Sequence, residues 1–460
     1  MSISLLTVFF SGILFLFAAS KQYLLSNDIA DLGLFEQFIW LIANGKINTV
    51  ASLAGRPPLQ DHFSLLLIPI SFIYKLIPST YTLLGLQSIA LGVLPGIAYK
   101  SVAKQGGSNL LVFSFVFSII LCPYIFLINL ANFHPEVITI PFMLIAILES
   151  RKERKWVYFL SLLVSLFAKK AQVLYGVGLS LYTLKAGKTY RSIITLLISI
   201  VWWLISSKFS AISGDFIQLR LGYLGSNNFE IVRSLITQPW LILNEASLDS
   251  IFLYTLGLFL PFLCLITRRA YPAFFGLLPI YFTNIISASS MQRDFGWHYS
   301  AGIIPFMIAA CIDSSVDWKY INGQRLKVIS NLSIVLVVIS FIGYARIGYF
   351  QSRYIPRFKE SVEFHKFKTL VRTDGSVLTN DNYTAHFANR EKINTYTSNY
   401  LPISEYDYIV LPEKNNIIKG RKKLLLDDKR EGKVKKIIRD AEVSGMSCIL
   451  NNKYIRFCAR

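Results

Sequence analysis

Apolar residues in this chain come in long blocks, not in alternation. Eleven blocks lie near 3–25, 81–99, 108–130, 137–150, 156–168, 172–186, 192–209, 251–267, 271–288, 297–313 and 328–346. Each is long enough, or nearly so, to cross a hydrocarbon core of about 30 Å. In lipid a segment must satisfy its own backbone polar groups, so the blocks predict helices. The run 62–77 is about 15 residues long and carries Pro69 and Lys75, short for a span, which predicts an interfacial or re-entrant helix. Beyond Tyr349 the pattern changes. Short alternating stretches at 376–379, 407–411, 448–450 and 454–457 predict strands, and the basic stretch 421–442 predicts a helix. The expected architecture is an all-α polytopic membrane domain over residues 1–349 with about 11 transmembrane helices. A small C-terminal α/β soluble domain follows over residues 350–460.

Composition agrees: 53% of the 460 residues are hydrophobic and only 16% charged, outside the range of soluble domains. A net charge of +20 raises the question of nucleic acid. The cations, however, sit in short clusters between apolar blocks and in the last hundred residues, which suits membrane topology and lipid headgroups better. If 62–77 does not cross, Lys100/Lys104, Arg151/Lys152/Arg154/Lys155, Lys185/Lys188/Arg191, Arg268/Arg269 and Lys319/Arg325/Lys327 share one side. The opposite loops between later spans hold only Lys169, Lys170, Arg220, Arg233 and Arg293. The positive-inside rule makes the first side cytoplasmic, with the N-terminus, and the C-terminal domain extracytoplasmic. Ala18-Ala19-Ser20 resembles a signal cleavage site, but no positive charge precedes the first apolar block. None of the five cysteines forms a C-x-x-C pair, which excludes zinc ribbons and redox motifs. A hairpin turning at Asn451-Asn452 would set Cys448 opposite Ile455, so no Cys448–Cys458 bridge is expected. There is no glycine-rich phosphate loop and no internal repeat.

With this topology the polar clusters converge on the outer face: Asp28/Asp31, Asp61/His62, His134-Pro135-Glu136, Lys169/Lys170, the 210–250 loop, and Arg293 through His298. Asp31 opens a short interfacial helix ending before Gly45; Asp28 and Asp31 suit helix capping, and equally a general base with a pKa raised by partial desolvation. Arg56-Pro57-Pro58-Leu59 fixes the backbone ahead of Asp61 and His62, as a rigid loop or as a device that aims them. His134, Glu136 and His298 are hydrogen-bonding interfacial groups or, with Asp31 or Asp61, ligands of a divalent metal ion, although no H-x-x-x-H spacing exists. Lys169, Lys170 and Arg293 snorkel to headgroups or hold a phosphate.

The series Asp31-Leu32-Gly33-Leu34-Phe35-Glu36-Gln37-Phe38-Ile39-Trp40, Gly45, His62-Phe63-Ser64, His134-Pro135-Glu136 and His298-Tyr299 resembles the bacterial membrane-protein family called domain of unknown function 2079. The likeness runs nearly end to end, including Tyr223-Leu224-Gly225, Gln238-Pro239, Asp374-Gly375-Ser376-Val377 and Asp407-Tyr408. That family in turn resembles the glycosyltransferase C superfamily, in which an outer-loop carboxylate is followed by a Gly and a Pro-Pro-Leu element; Asp31, Gly45 and Pro57-Pro58-Leu59 fall at the matching places. The superfamily commonly has an acidic pair where this chain has Asp31-Leu32. The nearer family often has an acid after the lysine near 170, where this chain has Ala171-Gln172.

The resemblance implies a glycosyltransferase of the bacterial plasma membrane that moves a sugar from a polyprenyl-phosphate donor to an unidentified acceptor on the outer face. Asp31 would be the catalytic base, with Asp28, Asp61 and His62 completing the site. Lys169, Lys170, Arg293, His134, Glu136 and His298 would bind substrate. Membrane lipid is an expected partner and nucleic acid is not. Two rivals come from other classes: a lipid or polysaccharide transporter or flippase, and a non-catalytic assembly protein. Ionisable groups cluster at span ends, away from mid-membrane, which favours the enzyme over a transporter.

Overall fold

The computed structural model describes residues 3–26, 29–105, 108–211, 215–398, 400–413, 424–449 and 454–460. All eleven apolar blocks are helical. Seven helices among the described residues are long and apolar enough to cross a membrane: Ser4–Tyr23, Thr80–Ala103, Asn109–Leu130, Thr189–Phe209, Leu248–Leu265, His298–Trp318 and Gly323–Lys368. The other four blocks form the shorter helices Ile140–Glu149, Lys155–Leu166, Val173–Lys185 and Tyr271–Ile286. Within 62–77 the helix is Leu67–Leu76, ten residues, or about 15 Å, half a hydrocarbon core.

The chain forms two compact units. The first comprises residues 1–16, 59–66 and 85–346 and is a helical bundle. Val173–Lys185 lies against Thr189–Phe209 on one side and Tyr271–Ile286 on the other. The second contact needs glycine, since a Cβ on Gly178 would overlap the carbonyl oxygen of Gly276. Small residues at such a crossing let two helices approach where lipid offers no hydrophobic drive. Thr189–Phe209 turns Leu197, Val201 and Leu204 outward, the face that lipid would cover. Elsewhere in the bundle Arg151 grips Asp313 through two parallel bonds of 2.7 and 2.8 Å, and the Tyr182 hydroxyl donates to the same carboxylate at 3.1 Å.

The second unit comprises residues 17–58, 67–84 and 347–460. Its sheet has five strands, β1 Val377–Thr379, β2 Ile393–Thr395, β3 Tyr408–Pro412, β4 Ser447–Ile449 and β5 Ile455–Ala459, in the order β2-β1-β3-β5-β4. The first three are parallel; β5 runs antiparallel to β3, and β4 to β5. Helix Leu424–Val443 packs Val434, Ile437, Ile438 and Ala441 against Leu378, Ile409 and Leu411. Four strands match the sequence reading, while β2 was not expected. Cys448 pairs with Cys458 across β4 and β5 and the two form a disulfide. This corrects the expectation of no bridge: the register differs by three residues from the one that set Cys448 opposite Ile455.

The early segment is woven into the same unit. The amide of Gln37, on helix Leu34–Ala43, donates to the carbonyls of Arg390 and Glu391 at 3.1 and 3.0 Å. Ser52 exchanges bonds with the backbone of Ile393, the first residue of β2. Gly33 meets the Thr384 side chain and the Ala385 backbone, where a Cβ would stand 3.1 Å from Thr384.

Candidate active site

A cavity of about 390 Å³ opens in the first unit, within the size range of small-ligand pockets. Most of its charged and imidazole groups come from four pieces of chain that are far apart in sequence, and Trp203, Arg220 and Ile280 come from others.

The first piece carries His134 and Glu136. After helix Pro123–Leu130 the chain reverses at Asn132, whose φ is +71°, a conformation Asn tolerates better than most residues. Gln87 fixes this turn: its amide donates to the carbonyls of Asn129 and Asn132, and its oxygen accepts from the His134 N–H at 2.9 Å. Pro135 then starts a short helix, Pro135–Ile138, whose first turn contains Glu136. His134 is fully buried and Glu136 is 5% exposed.

Lys169 and Lys170 form the second piece, between helices Lys155–Leu166 and Val173–Lys185. The Lys169 carbonyl accepts from the Trp202 indole at 3.2 Å, and its ammonium lies 2.8 Å from Glu136 Oε1. Lys170 lines the cavity beside Gln172 and Tyr175. The third piece is 59–66, tied down by Ser210, which donates to the Asp61 carbonyl at 2.7 Å, and by the Ala211 N–H, which donates to the Gln60 carbonyl at 2.6 Å. It places His62 on the wall, with Nδ1 bonded to the Asp61 carboxylate. The fourth piece supplies Gln292, His298 and Tyr299; His298 Nε2 lies 3.4 Å from Glu136 Oε1, and its ring lies against that of His134, tilted by 34° with centroids 3.8 Å apart.

Glu136 is therefore the hub. Burial alone would hold its proton on, but Lys169, His134 and the hydrogen bond from Lys169 outweigh that and keep its pKa below the usual carboxylate value. The lining is mostly apolar, with Ala171, Val173, Leu174, Trp203 and Ile280 among its walls, while Lys169, Lys170 and Arg220 supply positive charge. Such a pocket suits an anionic group joined to an apolar body.

Of the residues singled out in the sequence, His62, Glu136, Lys169, Lys170 and His298 line this cavity, and Asp61 and His134 stand directly behind them. Arg293 does not line it: its guanidinium donates to Ser250 and to the carbonyls of Asn284, Ile285 and Ser287, bracing its own loop. Asp31 lies in the second unit, within the wide helical turn Ile29–Gly33. Asp28 lies outside the described residues. Arg220 was missed as a site residue, though the sequence marked it as one of few cations on its side. It lines the cavity and sits 5.1 Å over the Tyr299 ring.

A family model described as a predicted membrane protein, domain of unknown function 2079 (DUF2079), matches residues 21–436. The chain belongs to this family. In this DUF2079 protein the motif residues His134, Glu136 and His298 meet at one cavity. No curated protein matches the sequence. Among solved structures, ArnT from Cupriavidus metallidurans bound to undecaprenyl phosphate has the same fold, with 12% identity, a TM-score of 0.53, and coverage of 99% of this chain and 97% of that one. Its apo form gives a TM-score of 0.50 at 11% identity, covering 97% of each chain. At such identity the likeness is one of fold alone, a polytopic helical domain with a small C-terminal sheet, as the sequence led us to expect.

Proposed function

We propose that this DUF2079 protein is an integral membrane glycosyltransferase that takes a sugar from a polyprenyl-phosphate donor and passes it to an acceptor on the outer face of the membrane. The observation that carries the reading is the cavity itself, apolar-walled with Lys169, Lys170 and Arg220 on it, the chemistry needed to hold a phosphate attached to a greasy chain. The fold shared with ArnT, a protein crystallised with undecaprenyl phosphate, supports the same donor class. The Cys448–Cys458 disulfide supports an extracytoplasmic second unit, since such bonds persist in oxidising compartments.

In the reaction the acceptor hydroxyl attacks the anomeric carbon. Its oxygen forms the new glycosidic bond as the bond from that carbon to the phosphate oxygen breaks, and polyprenyl phosphate departs with the electron pair. The cations stabilise this leaving group. Asp31, assigned from the resemblance, takes the hydroxyl proton. His62, oriented by Asp61, and the Glu136–His298 pair bind substrate from the cavity wall. Asp31→Asn should abolish transfer from a labelled polyprenyl-phosphate sugar without reducing the amount of protein in the membrane. Full activity in that variant would exclude Asp31 as the base.

A further inference from the structure

Glu136 is surrounded by more than one lysine can satisfy. Its Oε1 is taken by Lys169 at 2.8 Å, but Oε2 is buried and hydrogen-bonded to nothing among the described residues. Two imidazoles face the same carboxylate, with His298 Nε2 at 3.4 Å and His134 Nδ1 at 3.8 Å from Oε1. The tautomer of His134 is fixed from outside this group. Its Nε2 lies 2.9 Å from the Ala131 carbonyl, which can only accept, so Nε2 carries a hydrogen and Nδ1 is the atom presented to the carboxylate. A histidine whose outer nitrogen donates to a backbone carbonyl while the inner one points at a cluster of donors has the arrangement typical of metal ligands.

We infer that His134, Glu136 and His298 form a binding site for a divalent cation of the zinc type, open on its fourth side to the cavity. The donor atoms of the three residues lie within 4.8 Å of one another. Bonds of about 2.1 Å in a tetrahedral site put donors about 3.4 Å apart, so small side-chain rotations close the set. Two nitrogens and one carboxylate oxygen suit zinc better than magnesium or calcium, which favour all-oxygen shells. Three protein ligands with one open position is the plan of a catalytic zinc site, not a structural one. Glu136 and His298 line the cavity, so the open position faces Lys169, Lys170 and Arg220. Oε2, which has no hydrogen bond among the described residues, is the oxygen that a rotation of the carboxylate would offer to the cation, while Oε1 stays with Lys169. In the transferase reading, on which this last step rests, a phosphate oxygen of the donor takes the fourth position. The cation and the lysines then share the charge of the leaving group.

The sequence concealed this set because His134 and Glu136 are two residues apart and His298 is 162 positions beyond Glu136, a spacing that no linear metal motif describes. The test is metal content. The full chain, purified in detergent, is loaded with zinc chloride, freed of excess and assayed by mass spectrometry; parallel cobalt-loaded samples are examined by visible absorption. One zinc per chain is expected in the wild type, with four-coordinate cobalt bands and no thiolate charge transfer. His134→Ala and His298→Ala should each weaken zinc binding at least tenfold, while His365→Ala, a change in the other unit, should leave it intact. A wild-type protein that holds no stoichiometric zinc overturns the inference, as does unchanged binding in both ligand variants. Should those variants fail to fold, six-coordinate or thiolate-type cobalt spectra in the wild type overturn it instead. Zinc bound without sugar transfer would remove the transferase reading and leave the metal site standing; transfer without zinc would do the reverse.

Discussion

Glu36 and Glu136 are both buried carboxylates, yet they are driven in opposite directions. Glu136 has an ammonium at 2.8 Å and stays anionic. Glu36, in the second unit, has the Tyr74 hydroxyl at 2.8 Å, a neutral donor. Burial dominates there and pushes its pKa from 4.5 to about 8, against the smaller opposing effects of Tyr74, Lys368 and the Thr80 backbone. A carboxyl whose folded pKa is raised favours the fold while protonated. That contribution is complete below about pH 4.5 and is lost as pH rises through about 8, with a slope of at most about 1.4 kcal/mol per pH unit. Thermal unfolding between pH 5 and pH 8 should therefore show a falling Tm in the wild type and a flatter profile in Glu36→Gln, which keeps an acceptor for Tyr74. Parallel profiles would contradict this account of Glu36. Glu36 stood in the motif that suggested the family, but nothing in a linear sequence shows that Tyr74 will stand over it.

The elements were more legible than their partners. Every apolar block became a helix because a long apolar segment in lipid must satisfy its own backbone polar groups and has few alternatives. β2 went unnoticed because Ile393-Asn394-Thr395 is three residues long, flanked by Lys392 and Tyr396, and shows no apolar alternation; it is a strand only because β1 lies beside it. The β4–β5 register was misread because a turn dipeptide was made to fix the pairing, whereas the Cys448–Cys458 and Ile449–Phe457 pairs fix it here. Helix packing likewise depends on single contacts that the sequence does not announce. Arg151, read only as a topology marker, binds the carboxylate of Asp313 on helix Ile304–Trp318. Arg151→Ala would leave that carboxylate 5% exposed without its ion partner. A fully buried pair broken this way costs about 3–5 kcal/mol; because the Arg151 side chain is 40% exposed, about 2 kcal/mol is expected. Asp313→Asn with Arg151 retained should cost less, since Asn still accepts from the guanidinium. Chemical unfolding in mixed micelles measures both, and equal stability of all three proteins would remove the clamp from the account.

Across the whole molecule, the sequence placed most of the cavity's chemistry before any fold was known. His62, Glu136, Lys169, Lys170 and His298 were each singled out from a loop expected on the outer face, and each lines the same space. Positive-inside counting made this possible by sorting loops to one side. Counting could not show that residues 17–58 fold with residues 347–460 into one unit; that depends on Gln37, Ser52 and Gly33 meeting a domain more than three hundred positions away. Nor could it separate Arg293, spent on its own loop, from Arg220, which reaches the cavity. The central claim is that this cavity receives a lipid-linked phosphate. Its most direct test is native mass spectrometry of the detergent-purified chain titrated with undecaprenyl phosphate and, in parallel, with undecaprenol. The phosphate lipid should bind to one site, and the alcohol far more weakly. The double variant Lys170→Ala, Arg220→Ala should lose at least about tenfold in affinity for the phosphate lipid alone, since a charge-assisted hydrogen bond contributes about 1.5–3 kcal/mol. Equal binding of both lipids, or phosphate binding unchanged in that variant, would contradict the account.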